Sequence, residues 1–70
     1  MELEKFLEEV KKQHINDGDL VKVRLRGGMF VRRLYSGIED GSILAYREEL
    51  NTNAEKYAVE KITQITRLGK

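Results

Sequence analysis

The sequence predicts a mainly β protein, with one N-terminal helix followed by five short antiparallel strands that bend strongly into a small barrel. Three observations predict this fold class. Apolar residues first recur at helical spacing, then alternate with a period of two after Gly18. Clusters of turn residues divide the remaining chain into strand-sized segments. The 70 residues suffice for one hydrophobic core, so we expect a single domain over residues 1–70.

The helix is predicted at about residues 2–13. Four apolar residues at i, i+3, i+4 and i+7 form one stripe of a helix: Leu3, Phe6, Leu7 and Val10. Glutamates lie in its first turn and lysines in its last, as the helix dipole favours. Phe6 is the expected core residue of this stripe. Residues 16–19 (Asn-Asp-Gly-Asp) are typical of a turn and end the pattern.

The first two strands are predicted to form a hairpin. Residues 20–26 alternate inward Val and Leu with outward Lys22, Arg24 and Arg26. Gly27-Gly28 indicates a tight turn, because both residues are free to adopt positive φ. A second strand follows from residue 29 to about residue 39. Its apolar positions change parity at Arg32-Arg33, which predicts a bulge or sharp bend there.

Three further strands complete the predicted barrel. Residues 39–41 form a turn and residues 42–47 a third strand, followed by a polar loop over residues 48–55. A fourth strand is expected at residues 57–59 and a tight helical turn at Glu60-Lys61, since Val59, Ile62 and Ile65 are spaced by threes. The last strand runs from residue 62 to about residue 68. Together the strands cover about residues 20–68.

The net charge of +1 conceals a strong segregation along the chain. Residues 1–19 sum to −3, residues 39–70 to −1, and residues 20–38 carry five bases and no acid. Alternate cations on the first strand lie about 6 to 7 Å apart on one sheet face, close to the phosphate spacing of an extended single strand. We therefore predict a nucleic-acid-binding set: Lys22, Arg24, Arg26, Arg32, Arg33 and Lys61. The alternative is that they are solubilising side chains that face the acidic helix or the acids of another subunit.

Three aromatic residues near this basic block are candidates for stacking on unpaired bases: Phe30, Tyr35 and Tyr46. Core packing is the alternative for each ring.

The sequence offers little for catalysis or metal binding. His14 is the one imidazole and lies at the predicted helix end, and the chain lacks cysteine, so no thiolate zinc site or disulfide is possible. Asp17-Gly18-Asp19 lacks the later acid of a calcium loop, so a turn explains it better. We predict no catalytic residue, no cofactor and no metal, and thus not an enzyme. No apolar run reaches the length of about 18 residues that a membrane span needs, so we expect a cytoplasmic protein with no membrane partner.

The chain resembles the Sm-like family (LSm and Hfq-type small β-barrels), which shares its strand pattern with SH3-like barrels. The clearest segment is residues 21–28, Val-Lys-Val-Arg-Leu-Arg-Gly-Gly, which follows the family's V-x-V-x-L-x-x-G opening. Further support comes from Glu39-Asp40, Ile43-Leu44 and Ile62. Arg33 and Ser42 stand where the family has glycine and a stacking aromatic, and residues 58–60 lack the Tyr-Lys-His signature, so the family's uridine pocket does not transfer.

The resemblance implies a ring of six or seven copies that binds single-stranded RNA, U-rich or A-rich, and acts in RNA regulation or metabolism. Assembly would also compensate for a small core. The alternative function is an SH3-like interaction module that docks an acidic protein partner and binds no RNA.

Overall fold

The computed structural model of the chain describes residues 1–48 and 53–69. The chain forms one helix and five strands, and these confirm the mainly β class. In chain order the elements are α1 (Leu3–Lys12), β1 (Leu20–Leu25), β2 (Phe30–Glu39), β3 (Ser42–Tyr46), β4 (Glu55–Ala58), the 3-10 turn η1 (Val59–Lys61) and β5 (Ile62–Gly69). Residues 49–52 of the predicted loop lie outside the described residues.

The five strands form one antiparallel sheet in the order β4-β3-β2-β1-β5. The hairpin of β1 and β2 pairs Val23 with Val31 and Arg24 with Phe30, and its turn is Gly27-Gly28, as predicted. β5 pairs with the other edge of β1, placing Thr66 opposite Lys22. Within the described chain β4 and β5 are the two edges of the sheet, so hydrogen bonding does not close it.

The core lies between the inner face of the sheet and α1. Its fully buried residues come from four elements and from η1: Phe6, Val21, Val23, Ile43, Ala45, Val59, Ile62 and Ile65. The inward prediction for β1 and the core prediction for Phe6 are therefore confirmed. Leu3 and Leu7 of the same helical stripe remain largely exposed. The buried part of the stripe is thus narrower than its spacing predicts.

The bulge in β2 lies four residues beyond its predicted position. The pairing of β1 with β2 is continuous across Arg32 and Arg33, whereas the pairing of β2 with β3 is interrupted between Tyr35 and Ile38. Gly37, in this interruption, has φ +91°. The prediction of a bulge at Arg32-Arg33 was wrong in position, because Leu34 faces outward and Tyr35 faces the core.

A polar network fixes α1 to the end of the sheet. The Gln13 side chain donates to the Ile65 carbonyl at 2.8 Å and accepts from the Arg67 backbone N–H at 2.8 Å. Asp19, which is buried, accepts from the Arg67 guanidinium at 3.0 Å and from the Asn16 N–H at 2.9 Å. The predicted turn at residues 16–19 therefore packs against β5 and sets the start of β1.

Within residues 1–48 and 53–69, no helix has the length and apolar character needed to cross a membrane.

Candidate nucleic-acid interface

Lys22, Arg24, Phe30 and Arg32 form one exposed patch, which we name the basic sheet face. Lys22 and Arg24 alternate with the buried Val21 and Val23, so their side chains leave the sheet on the side opposite the core. The strand register sets Arg24 opposite Phe30 and Lys22 opposite Arg32. The patch is therefore two adjacent cross-strand pairs on the outer face of the first hairpin.

Phe30 holds the two β1 cations at the centre of this patch. The Lys22 Nζ lies 4.4 Å from the ring centroid and the Arg24 Cζ lies 4.7 Å from it, both within cation–π range. The electron-rich ring offsets part of the repulsion between the two charges. Phe30 is still 46% exposed, so part of the ring remains open to a ligand.

The positive charge of the basic sheet face is only weakly neutralised. Lys22 and Arg24 form no ion pair with any acid in the described ranges, and Arg32 meets Glu48 at 3.4 Å in an exposed pair. Exposed pairs of this kind contribute about 0 to 1 kcal/mol and break readily. The face therefore presents three cations that a polyanion can reach.

Tyr46 extends the same side of the sheet beyond the cations. It pairs with Leu34, which in turn pairs with Leu20, so this row lies two steps along the sheet from the row of Phe30. Four residues of strand separate the two rows, about 13 Å. Tyr46 is partly exposed. Phe30 and Tyr46 thus lie on the same side of the sheet as the cations, on neighbouring strands.

Tyr35 and Arg33 lie on the inner side of β2 and do not join this patch. Tyr35 is 5% exposed and packs in the core, and burial raises the pKa of its hydroxyl. The prediction that its ring stacks on a base does not fit this position. The Arg33 side chain is 16% exposed and its Nε lies 2.7 Å from a Glu55 carboxylate oxygen. Its predicted role in binding is likewise corrected, since Glu55 already occupies its guanidinium.

Glu55 is the centre of a network with Arg33, Arg47 and Tyr57. The Tyr57 hydroxyl donates to the Glu55 carboxylate at 2.8 Å, and the Arg47 Nε lies 3.3 Å from it. Hydrogen bonds from Arg33 and then from Tyr57 lower the pKa of Glu55 from 4.5 to about 2. The hydrogen bond between Arg33 and Glu55 also raises the pKa of Arg33. This Glu55 network ties the start of β4 to β2.

Arg26 and Lys61 lie in a separate groove beside the Gly27-Gly28 turn. We name it the hairpin groove; it is lined by Leu25, Arg26, Met29, Lys56, Tyr57 and Lys61, with Ser42 and Ala58 beside them. The Arg26 guanidinium donates to the Glu60 carbonyl at 3.3 Å, which directs it toward η1. The predicted set of six cations is therefore divided: three on the basic sheet face, two in the hairpin groove and Arg33 inside.

Sequence reasoning missed Lys56 and Tyr57 as members of this groove. The predicted loop ended at residue 55 and the predicted strand began at residue 57, whereas β4 spans Glu55–Ala58. Both residues pair with β3 and line the groove together with Leu25, Arg26 and Met29 of the first hairpin. The one signal in the sequence was a lysine directly before an apolar strand, which is too common to identify a site.

In the described part of the chain no group of three or more His, Asp or Glu residues is arranged to hold a metal ion.

No protein-family model matches this chain, and comparison with curated proteins and with solved structures also gives no match. Function is therefore inferred from the residues and the geometry described above.

Proposed function

We propose that this protein binds single-stranded RNA through the basic sheet face and that it does so as a homo-oligomer with an Sm-like barrel. The observation that carries the proposal is the placement of Lys22 and Arg24 at 4.4 Å and 4.7 Å from the partly exposed ring of Phe30. Cations that follow a backbone and a ring on which a base stacks are the two elements of single-strand recognition.

The charge and the spacing of the patch support RNA over a mixed-charge surface. Residues 20–38 contain no acid, so no carboxylate of these residues repels a phosphate. Cation rows about 7 Å apart match successive phosphates of an extended strand. Phe30 lies among the cations and Tyr46 lies beyond them on the same side of the sheet, where both rings can receive unpaired bases. The site thus favours two to three nucleotides on each copy, of U-rich or A-rich sequence as the family resemblance implies.

Assembly is part of the proposal because β4 and β5 are the two edge strands of the sheet in the described residues. On β5 the Gln13 side chain already bonds the Ile65 carbonyl and the Arg67 N–H, so a second chain would pair with the remaining groups of that edge. An exposed edge strand presents free N–H and C=O groups, and a second chain can satisfy them. Pairing β4 of one copy with β5 of the next generates a closed ring when the rotation between copies is regular. A ring of six or seven copies, as the resemblance implies, would repeat the basic sheet face around one axis. We place the protein in RNA regulation or metabolism in the cytoplasm.

The second candidate function is an interaction module that docks an acidic protein partner and binds no RNA. The pair between Arg32 and Glu48 favours it, because a carboxylate already contacts the basic sheet face at 3.4 Å. The carboxylates of an acidic peptide would displace Glu48 from Arg32 and contact the other cations of the basic sheet face. The peptide offers no bases for Phe30 and Tyr46, so RNA uses more of the patch.

Binding of labelled oligo-U and oligo-A of about 16 nucleotides, followed by fluorescence anisotropy over a range of salt concentrations, tests the proposal. The variant Lys22→Gln/Arg24→Gln removes the two cations beside Phe30. We expect weaker binding and a plot of log affinity against log salt that is less steep by about 1.4, since each phosphate contact with a single strand contributes about 0.7.

The matched control is Lys11→Gln/Lys12→Gln, which removes the same charge from exposed positions on α1. It should leave the salt dependence within error of that of the unmodified protein. An equal loss of RNA affinity in both variants would show general electrostatic attraction and no defined binding site. Absence of binding to either oligonucleotide at low salt would reject the RNA proposal, and recovery of an acidic protein with the Lys22 and Arg24 pair intact would favour the second candidate.

A further inference from the structure

The hairpin groove is a concavity beside the basic sheet face, and the RNA track on that face leaves it unused. Its volume is about 670 Å³, within the range of about 300 to 1,000 Å³ typical of small-molecule sites. It is open on one side and lies between the Gly27-Gly28 turn, β4 and η1. Its walls come from three segments distant in sequence, which the sheet brings together.

Three cations and no acid line this groove. Arg26, Lys56 and Lys61 are among its lining residues, and none of them forms an ion pair with an acid among the residues described. Of the two neighbouring acids, Glu55 is held by Arg33 and Arg47, and Glu60 is not among the residues that line this groove. The groove therefore has an uncompensated positive charge that a compact anion can neutralise.

The position of the Arg26 guanidinium is partly fixed before any ligand binds. Its Nη2 donates to the Glu60 carbonyl at 3.3 Å, and the Arg26 backbone N–H donates to the Lys61 carbonyl at 2.8 Å. These bonds join the end of β1 to η1, so they fix the position of Arg26 relative to the backbone of Lys61. A pre-positioned guanidinium loses less side-chain entropy when it binds a phosphate oxygen.

The remaining wall of the groove is apolar and aromatic. Leu25 packs partly on the core, Met29 is 66% exposed, and the thioether of Met29 adapts to flat ligands. The Tyr57 ring is held in place because its hydroxyl donates to Glu55 at 2.8 Å. A planar ring of a ligand can therefore lie against Tyr57 and Met29 while an attached anion meets the three cations.

We propose that the hairpin groove binds a nucleoside phosphomonoester, with the phosphate at Arg26, Lys56 and Lys61 and the base against Tyr57 and Met29. A phosphomonoester carries about −1.5 to −2 charges at neutral pH, against −1 for an internal phosphodiester or a carboxylate. Three cations match the higher charge. Two sources supply this chemistry: the phosphorylated end of an RNA strand and a free mononucleotide. As a site for a strand end, the inference rests on the proposed RNA-binding function.

Calorimetric titration of the full chain with three oligo-U strands tests the strand end: one with a 5′-phosphate, one with a 3′-phosphate and one with hydroxyl ends. We expect one phosphorylated strand to bind about tenfold more tightly than the hydroxyl strand, the effect of one further charge-assisted hydrogen bond. The variant Lys56→Gln/Lys61→Gln should lose this preference, measured as the ratio of its affinities for the phosphorylated and the hydroxyl strand. Lys22→Gln/Arg24→Gln should bind all three strands more weakly and keep the preference.

Titration with uridine monophosphate, followed by amide chemical shifts, tests the free nucleotide. Shifts confined to Ser42, Tyr57 and Ala58, and lost in Lys56→Gln/Lys61→Gln, would place the nucleotide in the groove without any strand. If no strand binds, the proposed function fails, and this titration alone decides the inference. Equal affinity for all three strands together with unchanged groove amides would overturn it.

Discussion

Arg32 and Arg33 are neighbours in the sequence, yet their guanidinium groups serve opposite sides of the sheet. Arg32 points outward and joins the basic sheet face, while Arg33 points inward to the Glu55 carboxylate at 2.7 Å. Alternation along a strand makes such a division inevitable. The sequence identifies the basic block but not which member of an adjacent pair faces a ligand, because that depends on the register of β2 and on an acid 22 residues away.

Glu55 gives a pH-dependent prediction at the same scale. Its pKa is lowered from 4.5 to about 2, first by the hydrogen bond from Arg33 and then by that from Tyr57. A carboxyl whose pKa is depressed by folding stabilises the folded state above its unfolded pKa and loses that contribution as the pH falls through its folded pKa. We therefore expect the unfolding free energy of the unmodified protein to decrease between about pH 4.5 and pH 2.

The variant Glu55→Gln should have lower stability at pH 7 and a flatter profile between about pH 4.5 and pH 2, measured by urea denaturation at each pH. Glu39→Gln, at the exposed end of β2, is the matched control. The interpretation of the network would be wrong if Glu39→Gln and Glu55→Gln had the same profile.

At the scale of elements, β2 shows where a period-two pattern no longer predicts which side chains face the core. Leu34 and Tyr35 are both apolar, so the sequence permits either of them to face the core. Tyr35 is the buried one, and Leu34 pairs with Tyr46 on the outer side. The sequence correctly requires one change of phase in the strand. It places the change too early because the choice between Leu34 and Tyr35 is made by the register of β2 with β3, which sets Tyr35 opposite the buried Ala45.

Gly37 is the residue that permits this change of phase. Its φ of +91° lies in the region that other residues adopt at a cost, whereas a Cβ added to it would lie an ordinary 3.8 Å from the nearest atom, a side-chain oxygen of Asp17. Backbone strain alone therefore sets the effect of a substitution. We expect Gly37→Ala to lower the unfolding free energy by about 1 to 2 kcal/mol.

Urea denaturation measures this loss, and Ser36→Ala in the same bulge is the control, with an expected change below about 0.5 kcal/mol. Equal stabilities of the two variants would show that the bulge tolerates a side chain at residue 37 and that its position depends on other residues.

At the scale of the whole molecule, the sequence predicts the elements better than it predicts the candidate sites. All five strands, the helix and the short helical turn before β5 are found close to their predicted positions. The basic sheet face is also predicted in large part, because strand alternation and charge are local properties. The hairpin groove is not, since Arg26, Lys56 and Lys61 meet only through the pairing of β3 with β4 and the position of η1.

The two open edges of the sheet give the prediction at this scale. If β4 of one copy pairs with β5 of the next, alternate amides in Glu55–Ala58 and along the outer side of Ile62–Gly69 become hydrogen-bonded on assembly, except that of Arg67, which already donates to Gln13 within one copy. Hydrogen exchange at increasing protein concentration should then slow at these two strands and remain unchanged in the exposed parts of α1. Native mass spectrometry should give six or seven copies under the same conditions. A single copy with fast exchange at both edges, or a dimer protected at another surface, would contradict pairing of the edges. The RNA experiment with Lys22 and Arg24 is independent of this result, because the basic sheet face is complete within one copy.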